Sequence, residues 1–334
     1  MKAIKGDTAM GLIDSFGRKI NYLRLSVTDR CNMRCSYCMP AEGVAKLCHS
    51  DILSYEELFL IARTAVSLGI EKIRVTGGEP LVRKGIVDFL SRLSGIPGLR
   101  QLVLTTNGLC LDEMAEPLRA AGVQRLNISL DSLQPGVFAS ITRGADLSRV
   151  MAGIAAAERA GFPIKINMVV MRGINDREVI DFAMLALRKP YTIRFIEYMP
   201  AIKEKEWQSL VVPGQEIMAR VGERLELALN DKKDLAGPAQ EYRIKGGTGT
   251  VGVITPLTGH FCGDCNRIRV TATGMAKGCL FSAAEADLKP YTRTSDSDGL
   301  HKALCEMVTM KPGMHRISAQ EADHTPFTMA GVGG

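Results

Sequence analysis

The chain has 334 residues, 46% hydrophobic and 5% aromatic, and 42 Lys and Arg against 36 Asp and Glu give it a net charge of +6. That is enough apolar material for a large core in one domain or two, yet no run nears the roughly 18 apolar residues of a membrane span and Met1–Lys19 lacks the apolar centre of a signal peptide. Nine clustered cysteines suit a reducing compartment and metal ligation better than disulfides, and a modest positive charge without a Lys/Arg run points to an anionic ligand; the expectation is a cytoplasmic protein with no membrane or nucleic-acid partner.

Residues 1–20 read as an amino-terminal extension. From 21 to 200, β-rich runs recur at Tyr22–Val27, Lys72–Val75, Gln101–Thr105, Arg125–Leu130, Ile164–Val170 and Thr192–Ile196, with helical patterns between them. Ser54 followed by Glu57 is a capping box that opens a helix through Leu68, and Gly69 is placed to end it in a left-handed cap. Gly122 and Gly161 repeat that punctuation, each just before a strand. Alternating strands and helices imply a parallel sheet covered by helices, and six units fall short of a complete eight-stranded barrel. The fold class expected is therefore α/β: a partial (βα)6 TIM-like barrel with a smaller carboxyl-terminal α+β region. Ligands in such sheets lie at the carboxyl ends of the strands. Those ends are polar here: Thr76-Gly77-Gly78-Glu79-Pro80, Thr105-Thr106-Asn107-Gly108, Ser129-Leu130-Asp131-Ser132, Lys165-Ile166-Asn167 and Arg194–Glu197. Such endings on successive strands favour one shared pocket.

The rhythm changes in residues 201–320. Lys203–Trp207 reads as a charged, exposed stretch and Pro213–Leu229 as one helix. Glu241–Lys245, Thr250–Thr255 and the segments around Ile268 and Met275–Leu280 read as short antiparallel strands, and Gly299–Met310 as a helix. Residues 321–334 carry little periodicity and end in Gly331-Val332-Gly333-Gly334, by composition alone a frayed tail.

Six cysteines form two triplets, Cys31-x3-Cys35-x2-Cys38 in the loop after the first strand and Cys262-x2-Cys265-x13-Cys279 near the end. Each is one thiolate short of the four that normally hold an iron-sulfur cubane, which leaves one iron free for a small molecule. A zinc knuckle lacking one ligand, or a set of ordinary buried cysteines, is the rival for the first triplet, and with His260 a Cys3His zinc site is the rival for the second. Cys48, Cys110 and Cys305 match no ligand position, Cys305 reading as core packing, and His49, His301, His315 and His324 carry no assignment. There is no Gly-x4-Gly-Lys-Ser/Thr loop, so a nucleotide here is not held in P-loop fashion.

The first triplet, with Tyr37 before its third cysteine and Gly77-Gly78-Glu79-Pro80 ending the second strand, resembles the radical S-adenosylmethionine superfamily. The strings Leu23-Arg24-Leu25-Ser26-Val27-Thr28-Asp29-Arg30-Cys31-Asn32 and Gly259-His260-Phe261-Cys262-Gly263-Asp264-Cys265-Asn266-Arg267-Ile268-Arg269 resemble, within it, the GTP 3′,8-cyclase family of molybdenum cofactor biosynthesis. The resemblance runs from residue 12 to Gly334. It implies two 4Fe-4S clusters, on Cys31, Cys35 and Cys38 and on Cys262, Cys265 and Cys279, with S-adenosyl-L-methionine on the first and the guanine of GTP on the second. It also implies S-adenosylmethionine contacts from Tyr37, Gly78, Ser129 and Met199. GTP contacts would come from Arg24, Arg74, Thr105, Lys165, Arg267, Ile268 through its backbone, and Arg269. Arg194 is a further candidate. The tail glycines Gly333 and Gly334 would reach into the active site and assist catalysis. The implied reaction is a lyase-type cyclisation of GTP to (8S)-3′,8-cyclo-7,8-dihydroguanosine 5′-triphosphate. An external electron donor feeds it, a cyclic pyranopterin monophosphate synthase acts downstream, and a homodimer stays open. The rivals are a radical peptide-modifying enzyme with an auxiliary cluster and a zinc-bound interaction protein.

Overall fold

The structure, a computed structural model, describes residues 11–44, 47–201, 206–231, 234–283, 285–315, 317 and 329–333. Its frame is set by side chains that alternate along the strands. In β1 (Tyr22–Ser26), Leu23 and Leu25 are fully buried on the helix-covered face, while Tyr22 and Arg24 turn the other way, into a cavity. After β1 come α1 (Tyr55–Ser67), β2 (Lys72–Thr76), α2 (Ile86–Ser94), β3 (Gln101–Thr106), α3 (Leu111–Ala120) and β4 (Arg125–Ser129). Two helices, α4 (Pro135–Thr142) and α5 (Leu147–Arg159), lead to β5 (Ile164–Val170), α6 (Val179–Arg188) and β6 (Thr192–Glu197). The carboxyl-terminal part adds α7 (Gly214–Gly222), β7 (Leu227–Leu229), β8 (Gln240–Ile244), β9 (Thr250–Ile254), β10 (Arg267–Val270), β11 (Met275–Lys277), β12 (Ala286–Asp287), α8 (Lys289–Arg293), α9 (Ser297–Thr309) and α10 (Met329–Val332).

The punctuation expected around α1 is present. Ser54 Oγ accepts from the Glu57 amide at 3.2 Å, the Glu57 carboxylate accepts from the Ser54 amide at 2.6 Å, and Gly69 turns left-handed at φ +102°. Gly122 and Gly161 take φ values of +86° and +72°. Leu58, Ile61, Ala62 and Ala65 of α1 then lie in the core with Ile73 and Val75 of β2. Truncating one such Leu or Ile to Ala costs about 2–5 kcal/mol.

All strands join one sheet, ordered β12-β11-β10-β1-β2-β3-β4-β5-β6-β9-β8-β7. From β10 to β9 every neighbour is parallel, so the expected six-strand partial barrel is lengthened by one parallel strand at each side. The carboxyl-terminal strands pair antiparallel as expected, β8 with β9 and β10 with β11, with β7 and β12 added antiparallel at the edges; beyond that reading, β9 and β10 also extend the barrel in its own direction against β6 and β1. The single helix expected over Pro213–Leu229 is corrected. It stops at Gly222, and Leu227 and Leu229 pair as a strand with Ile244 and Tyr242. Of the stretch Lys203–Trp207, residues 203–205 lie outside the described residues, and Trp207 is not exposed. It is 2% exposed, in a small cluster with Ile141, Met171, Tyr198, Val211 and Leu257. The indole follows charged neighbours in sequence but answers to apolar ones in space. Among the described residues no helix is long and apolar enough to cross a membrane.

Candidate active site

A closed barrel fills its interior with branched apolar side chains. This one turns cations inward. Arg24 on β1 stands in register with Arg74 on β2 and with Arg269 on β10, three guanidiniums side by side on one face. Like charges set directly across from each other are unfavourable unless an anion lies among them. Burial first, then Arg269 and Arg74, holds Arg24 well below its ordinary value. Burial and Arg74 bring Arg194 down to about 9, and burial and Arg267 bring Arg269 down to about 10. Arg74 Nε, Arg194 Nε, Thr105 Oγ1 and Asn167 Oδ1 are shut from solvent with no hydrogen-bond partner among the described residues. Buried polar atoms of that kind ask for a polar ligand.

The loop after β1 carries the first triplet, and the loop after β2 fixes it. The Gly78 amide donates to Thr28 O and the Glu79 amide to Arg30 O, both at 2.8 Å, immediately before Cys31. The buried Glu79 carboxylate accepts from Leu81 N at 3.0 Å, Thr106 Oγ1 at 2.9 Å and Asn107 N at 2.7 Å, tying β2 to the end of β3, and burial pushes it up to about 7. Tyr37 donates to Asp131 Oδ2 at 2.7 Å, and the Val169 amide donates to Asp131 Oδ1 at 2.9 Å. Burial pushes Asp131 up to about 6. Burial raises all three thiols, Cys38 to about 12; Cys38 and Cys31 add to the rise at Cys35, and Cys31 to that at Cys38. Three crowded soft donors of this kind ionise together when a metal takes their charge, which suits an iron-sulfur cluster.

The second triplet lies across the same cavity in different electrostatics. Burial works against the Cys265 thiolate, yet Arg267 and Lys311 bring it down to about 6. Arg267 Nη2 lies 3.6 Å from its sulfur and Lys311 Nζ 3.4 Å. Three soft donors with cations beside them suit a second cluster equally well. His260, Cys262 and His315 bring their ligand atoms within 4.8 Å of one another, so the neighbourhood would also suit zinc.

One cavity thus gathers all six cysteines with Arg24, Tyr37, Arg74, Gly78, Thr105, Ser129, Arg194, Met199, Arg267 and Arg269 on its wall. Lys165 and Ile268 are not on that wall. Lys165 points inward two residues before Asn167, paired with Glu241 at 2.6 Å, and the Ile268 side chain is fully buried in the apolar core, leaving only its backbone for a ligand. Gly333 enters from the tail. Its carbonyl accepts from Arg269 Nη1 at 3.3 Å, and a β-carbon on it would sit 2.7 Å from Thr76 Oγ1. Gly334 lies outside the described residues. The sequence reading missed Glu79 and Asp131 as anchors, Lys72 two residues before Arg74 on the same inward face, and Lys311. A buried-strand register, not a motif, brings Lys72 in. Cys48 is exposed; Cys110 and Cys305 pack against the core's edge.

The Radical SAM superfamily profile matches residues 25–186, and the Molybdenum Cofactor Synthesis C profile matches 191–317. GTP 3′,8-cyclase of Geobacter sulfurreducens is 65% identical over 326 residues, covering 97% of this chain and 100% of that protein. The GTP 3′,8-cyclases of Moorella thermoacetica and Peptoclostridium acidaminophilum are each 45% identical, over 96% and 98% of this chain and 99% and 100% of theirs. Among solved structures, Streptococcus suis SuiB aligns with a TM-score of 0.61 at 12% identity, covering 86% of this chain and 67% of that one. SuiB bound to S-adenosylmethionine aligns at 0.58 and 13%, over 92% and 77%. At such identity the likeness speaks for the fold alone; full-length identity to the curated relatives, with both profiles, shows that the chain belongs to the GTP 3′,8-cyclase family of the radical S-adenosylmethionine superfamily.

Proposed function

We propose that this chain cyclises GTP to (8S)-3′,8-cyclo-7,8-dihydroguanosine 5′-triphosphate, the reaction its relatives are named for. The observation that carries the reading is the row Arg269, Arg24, Arg74, in register, Arg269 buried and the other two half-buried, between two cysteine triplets of one cavity. A triphosphate supplies the negative charge such a row lacks, and guanidinium forks suit phosphate oxygens. Cys31, Cys35 and Cys38 hold one 4Fe-4S cluster and Cys262, Cys265 and Cys279 the other. With S-adenosylmethionine bound, the first cluster supplies one-electron cleavage and hence the radical that removes hydrogen from an unactivated carbon.

The chain's own residues bind, orient and exclude water. Tyr37, Gly78, Ser129 and Met199 seat S-adenosylmethionine, with Asp131 fixing the Tyr37 hydroxyl. Arg24, Arg74, Thr105, Lys165, Arg267, the Ile268 backbone and Arg269 hold GTP, joined by Arg194, so that C3′ of the ribose faces the adenosyl side and C8 of guanine lies within reach for the new carbon-carbon bond. Gly333 brings the tail against Arg269, beside Thr76 and Ser26 of β2 and β1, where the tail glycines assist catalysis. The electron comes from an external donor, and the product passes to a cyclic pyranopterin monophosphate synthase.

The test is anaerobic incubation of the reconstituted chain with S-adenosylmethionine, GTP and dithionite. The expected products are 5′-deoxyadenosine and cyclised GTP in step with each other; 5′-deoxyadenosine without modified GTP refutes the substrate while keeping the radical chemistry. Replacing Cys262, Cys265 and Cys279 by Ala should spare S-adenosylmethionine cleavage more than cyclisation. The grouping of His260, Cys262 and His315 favours a second reading, zinc at that end of the cavity. Metal analysis separates the two: two cubanes give about eight irons per chain, and zinc with about four irons supports the alternative.

A further inference from the structure

Lys311 follows α9 and is 2% exposed. A buried ammonium is costly unless a counter-charge meets it. Its nitrogen reaches two acceptors, the Gly278 carbonyl at 2.5 Å and Cys265 Sγ at 3.4 Å, and among the described residues it pairs with no carboxylate. A carbonyl and a protonated thiol carry no charge; a thiolate does. The surroundings hold the lysine in place. A β-carbon at Gly278 would lie 3.0 Å from Lys311 Cβ and 3.1 Å from its Cα, so glycine there leaves the lysine stem its room. Arg18 donates to Pro312 O at 2.8 Å, Gly313 O at 3.0 Å and Cys262 O at 2.7 Å, and is itself held by Asp14 at 2.6 Å. One guanidinium thereby joins the backbone just past Lys311 to the backbone of the first cysteine of the triplet.

Arg267 also approaches Cys265, at 3.6 Å, but it stands on the cavity wall and serves the substrate in the reading above. Lys311 is not on that wall. Its nitrogen is held beside the sulfur by the Gly278 carbonyl, away from the substrate wall; burial works against its charge and Cys265 works for it. Among the described residues the first triplet has no such cation: Cys31 accepts from the Met33 amide at 3.4 Å and the Asn107 side-chain amide at 3.8 Å, with the carboxyls of Glu79 and Asp131 nearby. Hydrogen bonds to cluster sulfurs and net charge near them set reduction potential.

We propose that Lys311 is a positioning residue for the second cluster, whose ammonium, hydrogen-bonded to the Cys265 sulfur, raises that cluster's reduction potential. The proposal rests on the reading that Cys262, Cys265 and Cys279 hold a cluster. Reduction adds one electron to the cluster, and a fixed positive charge beside it favours that reduced form; removing the charge makes the cluster harder to reduce.

The test is an anaerobic redox titration, followed by electron paramagnetic resonance, of the full-length chain with Cys31, Cys35 and Cys38 replaced by Ala, so that one cluster signal remains. Adding Lys311→Met should lower the ratio of reduced to oxidised cluster at a fixed potential about tenfold, a downward shift of about 59 mV for a one-electron couple. Lys311→Arg should restore most of it. If the Met variant fails to take up iron, Lys311→Gln, which keeps an N–H donor without the charge, carries the same titration. A potential equal to the parent's in the neutral variant, with the iron retained, overturns the proposal. A parent chain that binds no iron at all refutes instead the cluster reading on which the proposal rests.

Discussion

At Gly78 a β-carbon would come within 2.4 Å of the Arg30 carbonyl oxygen, and at Gly77 within 2.8 Å of Thr28 O. Both oxygens belong to the backbone that delivers Cys31, so neither can swing aside as a side-chain tip would. Glycine is therefore needed for close approach, a demand separate from any contact Gly78 makes with S-adenosylmethionine. Gly78→Ala should destabilise by about 1–3 kcal/mol and push the cysteine loop away from β2. Iron per chain after anaerobic reconstitution is the expected readout, falling toward the single remaining cluster. Gly136→Ala in α4 is the matched control, because nothing lies within 4 Å of the added carbon. Unchanged iron in Gly78→Ala would remove the steric account. The motif Gly77-Gly78-Glu79-Pro80 was legible in the sequence as a strand ending, but the reason for its glycines was not: it depends on Thr28 and Arg30, some fifty residues earlier in the chain.

Among the elements, what the sequence reveals tracks how local the cause is. The capping box at Ser54, the glycine stops and the six barrel strands rest on neighbours in sequence, and they are found where the pattern puts them. β9 and β10 were recognisable as strands of antiparallel pairs, but their second, parallel pairing with β6 and β1 was not, because it is decided by packing across the chain. The helix expected to Leu229 failed at Gly222, where the alternation of Leu225, Leu227 and Leu229 takes over from helical spacing. Trp207 is the clearest case of tertiary control. It follows a charged run, yet its ring closes the small apolar cluster between Ile141 of α4, Met171 after β5 and Leu257 after β9. Beside it Glu197, at the end of β6, accepts from Gly214 N at 2.8 Å and Leu257 N at 3.0 Å. Trp207→Ala should cost about 3–5 kcal/mol, and hydrogen exchange should speed up first in the segments around Met171, Val211 and Leu257. Loss spread evenly over the molecule would mean that the cluster is not a separate support.

For the whole molecule the inward-facing charge has a consequence for stability. Burial first, then Arg74, brings Lys72 down to about 6, and burial first, then Arg194, brings Lys165 down to about 7. Both titrate near 10.4 when the chain is unfolded. At these two lysines the unfolded chain therefore binds more protons than the folded one between about pH 7 and pH 8, and their contribution to stability rises with pH, opposed near pH 7 by Glu79 at about 7. As pH falls through the two folded values, that contribution is lost. Glu241 works against both shifts but is ion-paired with Lys165, so Lys72 carries the sign more cleanly: it donates to the Leu235 carbonyl at 2.9 Å, lies 4.6 Å from the Tyr22 ring centroid and, among the described residues, makes no ion pair. A bound triphosphate changes the balance by holding these lysines protonated in the folded state, so the proton difference between the two states closes. Urea unfolding midpoints should climb from about pH 7 to about pH 8 without nucleotide and stay flat with saturating GTP. The thiols of the first triplet, raised by burial, oppose the trend only above their unfolded value near 8.5, which lies beyond this window. Groups far from the pocket contribute equally with and without GTP, so the difference between the two slopes isolates the barrel interior. Parallel slopes would show that the triphosphate does not reach these lysines, and the anion site would then have to lie higher, among Arg24, Arg74 and Arg269 alone.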